Sequence, residues 1–119
     1  GLEAAVAAAG PGVPCRDVFH AAMDVVRAEG IPHYERNHCG HGIGIENYDF
    51  PHITPTSKEV LQPGMVICLE TPYYELGWGG LQVEDTFAVT QDGLERFTTV
   101  PDTLLPIGDE RWTAAQNGE

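Results

Sequence analysis

The sequence predicts an α+β fold, with helices packed on one face of a mostly antiparallel sheet. Helical spacing of apolar residues is confined to the first thirty positions. Two β-rich runs follow one another after residue 64, and a polar, proline-bearing stretch separates the two regimes.

The elements follow in order. Gly1-Leu2-Glu3-Ala4-Ala5-Val6-Ala7-Ala8-Ala9 has helical composition, but no cap residue and no initiator Met precede it. The chain is therefore expected to begin inside a helix of a longer protein. Gly10-Pro11-Gly12 stops that helix. Pro14 then sits where a first helical turn tolerates proline, and Gly30 where a helix ends. Between them Val18, Ala22 and Val25, with Phe19, Met23 and Val26, form one apolar face that should lie on the sheet. His33 to His38 reads as a short strand leading into Gly40-His41-Gly42-Ile43-Gly44. From there to Lys58, Pro51, Pro55 and several Asn, Asp, Thr and Ser residues indicate a loop. Leu61-Gln62-Pro63-Gly64 is a tight turn. Met65 to Tyr74 and Leu81 to Thr90 are β-rich, with Gly77 to Gly80 in the connection, and so predict an antiparallel pair. Gln91-Asp92-Gly93 marks another turn, and Leu94 to Val100 reads as a third strand. A tail that frays after Pro106 is expected, so residues 1–108 belong to the domain and 109–119 to the tail.

Composition narrows the function. At 119 residues and 42% apolar content the chain is a single globular domain at most. Eighteen acidic against six basic residues, a net charge of −12, argue against nucleic acid and anionic membrane as partners. No apolar run approaches the roughly 18 residues of a membrane span, and no signal peptide is recognisable, so a cytoplasmic location is expected. Cys15, Cys39 and Cys68 are odd in number and lack CxxC spacing, which reads as free thiols. Trp78, Tyr73 and Tyr74 read as core or rim packing, and His20 as a solvated helix residue.

Strand parity supplies the first chemical clue. Val66, Cys68 and Glu70 share one face of their strand, with Ile67 and Leu69 opposite. Gln82, Glu84, Thr86 and Ala88 share a face of the next, with Val83, Phe87 and Val89 opposite. If the polar faces coincide, Glu70 and Glu84 project into one cavity. A carboxylate within Val66-Ile67-Cys68-Leu69-Glu70 needs a partner or a metal, unless the strand is an edge whose Glu faces water. His41 lies between glycines, which permit a tight turn and close approach to a ligand. A structural role for it is the plain alternative. A zinc site from His38, Cys39 and His41 is disfavoured, because residues so close cannot easily surround one ion.

The order of four pieces carries more weight than any one of them. Gly40-His41-Gly42-Ile43-Gly44, Leu61-Gln62-Pro63-Gly64-Met65-Val66, Leu69-Glu70-Thr71-Pro72 and Gly79-Gly80-Leu81-Gln82-Val83-Glu84-Asp85-Thr86 succeed one another along the chain. In that order they resemble the pita-bread metallopeptidases, which include methionine aminopeptidase, aminopeptidase P, prolidase and the non-peptidase creatinase. The resemblance runs from about Gly1 to Thr98 and implies the C-terminal part of a pita-bread fold. It implies a dinuclear site in which His41, Glu70 and Glu84 are metal ligands. Glu84 would bridge two divalent ions (Mn, Co, Zn or Fe), and Glu70 and His41 would be catalytic, with Glu70 shuttling the proton of a metal-activated water. The family's two aspartate ligands lie well upstream of the Gly-His-Gly loop. Asp17 and Asp24, on the amphipathic helix, do not match them.

The implied activity is cleavage of the N-terminal residue from Xaa-Pro peptides or dipeptides, with Tyr48 and His52 as candidate substrate-binding residues. Tyr48 stands where peptidase members usually carry a second His, and Gln82 where many proline-specific members carry Arg. Creatinase-like hydrolysis of small C–N bonds and a non-catalytic binding role are the alternatives. The 119 residues alone are expected to hold at most one weakly bound metal, to lack peptidase activity, and to self-associate through uncovered apolar surface.

Overall fold

The computed structural model describes residues 1–99. Helix α1 (Leu2–Ala8) is followed by α2 (Cys15–Ala28), which begins directly after Pro14. Seven strands follow: β1 (Gly40–Gly42), β2 (Asp49–His52), β3 (Val66–Glu70), β4 (Tyr73–Glu75), β5 (Gly79–Leu81), β6 (Glu84–Val89) and β7 (Leu94–Arg96). Five of them form an antiparallel sheet in the order β2-β1-β3-β6-β7, while β4 and β5 make a separate hairpin.

Apolar burial joins the helices to one face of the sheet. Leu2 and Ala5 of α1 and Val18, Phe19, Ala22 and Met23 of α2 share a core with Ile67 and Leu69 of β3 and Phe87 and Val89 of β6. The period of two then sends Cys68 and Glu70 of β3, and Glu84 and Thr86 of β6, to the opposite face. Val25 departs from the expected helical stripe: it is exposed, at the margin of the arc that α2 buries.

Three expected elements differ. Residues 33–38 form no strand, because their polar groups are used elsewhere. The Tyr34 carbonyl accepts from Arg27 Nε at 3.0 Å, its N–H donates to Ile31, and its hydroxyl donates to the Pro72 carbonyl at 2.9 Å. A strand, β2, occupies what reads as loop. Pro51 disguises it, and its edge position is where a strand tolerates a missing donor. The long runs 65–74 and 81–90 each break in two. Pro72 offers no N–H to continue the ladder, so β4 and β5 peel away as the hairpin. Of the third predicted strand only Leu94–Arg96 pairs, with β6. Val100 and the predicted tail lie outside the described residues. The predicted turns hold: Met65 N–H reaches Gln62 O, and Thr90 N–H reaches Gly93 O.

Candidate metal centre

The open face of the sheet gathers the polar side chains in two rows. In the first, β1 sits between β2 and β3, so that His41 opposes His52 on one side and Cys68 on the other. Cys68 in turn opposes Thr86. In the second, Glu70 directly opposes Glu84 across β3 and β6. The glycines flanking His41 are explained by crowding. A Cβ on Gly40 would strike the Cys68 carbonyl, and one on Gly42 the Phe50 carbonyl. Only glycine lets β1 lie so close to both neighbours while it carries the imidazole.

Local bonds fix the orientation of each group. His41 is buried, and its Nδ1 lies 2.8 Å from the Gly42 carbonyl. A carbonyl can only accept, so Nδ1 carries the proton and the Nε2 lone pair is left for a ligand. His41, Cys68 and Glu84 bring an imidazole nitrogen, a sulfur and a carboxylate oxygen within 4.8 Å of one another. Cys68 is buried, with Sγ 3.4 Å from Thr86 Oγ1. Burial raises its thiol pKa, and the charges of Glu84 and Glu70 add to the rise.

Glu70 lies beside this group and has partners of its own. His38 Nε2 is 2.8 Å from Oε1, and the Gln82 amide donates to Oε2 at 3.1 Å. The same amide donates to Glu84 Oε2 at 3.1 Å and so ties the two carboxylates together. Burial opposes the charge on Glu70, but the bonds from Gln82 and His38 and the charges of His38 and Arg36 outweigh it. The carboxyl is held below its ordinary value.

An aromatic wall closes one side. The Tyr48 ring lies 4.3 Å from the His41 ring and 4.8 Å from that of His52, centroid to centroid, and the Phe50 ring stacks on His52 at 4.6 Å. Tyr48 is half exposed, so it presents a surface to anything entering the face.

His41, Glu70, Glu84, Tyr48 and His52 are thus brought to one face. Sequence reasoning missed two contributors, Cys68 and His38. The parity that places Glu70 also places Cys68, and that signal was available. Nothing local announces that His38 reaches a carboxylate 32 positions away. Trp78 and Tyr74 are exposed at the rim rather than in the core. The three cysteines are free and buried. Among the described residues no helix is long and apolar enough to cross a membrane.

The donor set suits a divalent ion: an imidazole with a free Nε2, two converging carboxylates and a nearby thiol match the mixed N/O preference of Mn, Fe, Co and Zn. Such a set, on the open face of an antiparallel sheet backed by helices, is chemically competent to hold a metal ion. The model of metallopeptidase family M24 matches residues 1–91, and the chain belongs to that family.

Curated relatives that it matches include peptidases. It is 33% identical over 94 residues to an uncharacterized peptidase of Staphylococcus aureus strain USA300, covering 79% of this chain and 27% of that protein. It is 35% identical over 101 residues to the Xaa-Pro dipeptidase of Pyrococcus furiosus, covering 85% and 29%. The solved Xaa-Pro dipeptidase of Bacillus anthracis superposes with a TM-score of 0.81 at 32% identity, covering 87% of this chain and 29% of that one. The chain therefore spans less than a third of the length of the relatives it matches.

Proposed function

We propose that the protein carrying this chain hydrolyses Xaa-Pro dipeptides or peptides at a centre of two divalent cations. In this reading His41, Glu70 and Glu84 are ligands, Glu84 is shared between the ions, and residues 1–108 are the C-terminal portion of the catalytic domain. The observation that carries it is the direct opposition of Glu70 and Glu84, with His41 on the strand beside them. Like charges placed face to face on neighbouring strands repel, and a cation between them would relieve that repulsion.

What divalent cations supply at such a site is Lewis acidity, which polarises a carbonyl and ionises water close to neutral pH. The rest falls to the chain's own side chains. Glu70, kept ionised by His38 and Gln82, takes a proton from the water that adds to the scissile carbonyl. It returns that proton to the proline nitrogen as the C–N bond breaks, releasing an amino acid and a peptide or proline with a free imino group. Tyr48 and His52 bound the space where the substrate's N-terminal residue would lie, and Tyr48 offers it a hydroxyl hydrogen bond. In this reading the 119 residues alone, with His41, Glu70 and Glu84 but without the two aspartates the family adds, would hold at most one cation, weakly, and would not turn over.

The test is hydrolysis of a panel of Xaa-Pro dipeptides by the full-length protein loaded with Mn or Co. Glu84→Gln is expected to lower turnover by more than about 100-fold, the scale reached even by groups that only support a ligand. Full activity with two metals per chain in that variant would overturn the reading.

A further inference from the structure

We propose that Cys68 is a metal ligand, and that with His41 and Glu84 it forms a nitrogen–sulfur–oxygen site that favours zinc or cobalt over manganese. The inference rests on the metal-centre part of the reading above, not on the peptidase part, and names the ions that this end of the centre prefers.

Three neighbouring strands supply the donors. β1 pairs with β3 and β3 with β6, so His41 directly opposes Cys68, and Thr86 opposes Cys68 from the other side. Glu84 lies two residues from Thr86 along β6, on the same face. From that diagonal position a long side chain reaches its neighbour across the ladder. Gly40 lets β1 come this near, since a Cβ there would strike the Cys68 carbonyl. An imidazole nitrogen, Cys68 Sγ and a Glu84 oxygen accordingly lie within 4.8 Å of one another. Zinc bonds of about 2.0 to 2.3 Å at tetrahedral angles set such donors about 3.5 Å apart, so small side-chain rotations close the group on an ion.

Each donor has capacity left for that ion. His41 is 6% exposed, and with Nδ1 committed to the Gly42 carbonyl its Nε2 has no partner among the described residues. Glu84 accepts from the Gln82 amide through Oε2, which leaves Oε1. Cys68 is 3% exposed and lies on the polar face of β3, whereas Cys15 and Cys39 belong to the core. Its Sγ is 3.4 Å from the Thr86 hydroxyl, which donates to the sulfur once the sulfur is anionic. A metal deprotonates a coordinating thiol outright, so Cys68 binds as thiolate and its proton passes to water. Glu70 stands outside this group of three, with both oxygens engaged by His38 and Gln82.

The chemistry of the three donors decides the ion. Three protein ligands with a fourth position open to water make up a catalytic zinc site. Thiolate is a soft donor that selects zinc, while manganese prefers carboxylate, carbonyl and water oxygens. A sulfur added to the imidazole and the carboxylate therefore tilts the choice away from manganese.

The experiment uses the full-length protein, stripped of metal and reloaded with zinc, cobalt or manganese. X-ray absorption at the zinc edge should show a sulfur neighbour at about 2.3 Å. Cobalt should give a sulfur-to-metal charge-transfer band in the near ultraviolet. Cys68→Ser should lose both signals and lower zinc affinity by at least about 10-fold, the least that losing even a group supporting a ligand costs. Manganese affinity should change by less than about threefold. Cys68→Thr carries the test if the Ser variant does not fold. A sulfur signal that survives in Cys68→Ser, or equal losses of zinc and manganese affinity, would overturn the proposal. Zinc held by nitrogen and oxygen alone in wild type, and lost in Glu84→Gln, overturns it too but leaves the metal centre standing. A wild type that binds none of the three ions removes both.

Discussion

Replacing Glu84 by Gln should stabilise the metal-free protein and remove most of the stabilisation that divalent cations confer. Glu70 and Glu84 are directly opposed in the β3–β6 ladder, which puts their Cβ atoms about 5 Å apart. Two like charges at that separation repel by about 3 kcal/mol at an effective dielectric of 20, and by about 1 kcal/mol in water. Glu84 is exposed, so the lower figure applies. A glutamine there still accepts from the Gln82 amide, so the bond that now links the carboxylates is retained. A gain of about 1 kcal/mol corresponds to roughly 4 °C in melting temperature for a chain of this size. A cation present at 100 times its dissociation constant stabilises the native state by about 2.7 kcal/mol, so wild type should overtake the variant once metal is added. Thermal unfolding followed by circular dichroism, in EDTA and in excess Mn or Co, reads both effects. A variant that melts lower than wild type in EDTA would refute the reasoning. So would one that gains as much from metal as wild type does.

Two further predictions concern groups on the helix-covered side of the sheet. Asp85 is buried on the core side of β6, 2.6 Å from Arg96 Nε, and also accepts from the Thr86 N–H and the Thr98 hydroxyl. Arg96→Leu leaves that carboxylate buried and should cost about 3 kcal/mol in urea unfolding. Asp85→Asn should cost less, because the Arg96 side chain is one-third exposed and reaches water; the reverse order would sink the argument. Burial, reinforced by the charge of Glu59, raises the Cys15 thiol above its ordinary value of 9.0. The folded state therefore favours the neutral thiol. That contribution to stability is complete below pH 9.0 and is lost as the pH climbs beyond it. Cys15→Ala should flatten the decline in stability between pH 8 and pH 10.5 measured by urea titration, and an unchanged slope would count against it.

The parts of the fold that were legible are those governed by a rigid period. Once Val66 to Glu70 and Glu84 to Val89 are read as strands, the period of two leaves no freedom. Ile67, Leu69, Phe87 and Val89 must face the helices, and Cys68, Glu70, Glu84 and Thr86 must face away. The glycines around His41 announced a close approach, although only the sheet reveals that the carbonyls of Cys68 and Phe50 impose it. What stayed hidden depends on contacts between distant segments. Strand β2 exists because β1 offers it an edge, against the local preference of Pro51. His38 and Arg36 stand in a polar stretch with no period, and they acquire meaning only when Glu70 and Tyr74 arrive beside them. The bonds at the open face share one character. His41 is held through Nδ1, Glu84 through one oxygen, and Glu70 through both, by His38 and Gln82. His41 and Glu84 each spend one hydrogen-bonding site on orientation and Glu70 spends two, and each leaves lone pairs unused: His41 Nε2, the second oxygen of Glu84, and a further lone pair on each oxygen of Glu70. A face whose donors are oriented in this way has already met the conformational entropy of ordering its ligands. What an arriving cation then has to overcome is chiefly its own dehydration and that of the carboxylates.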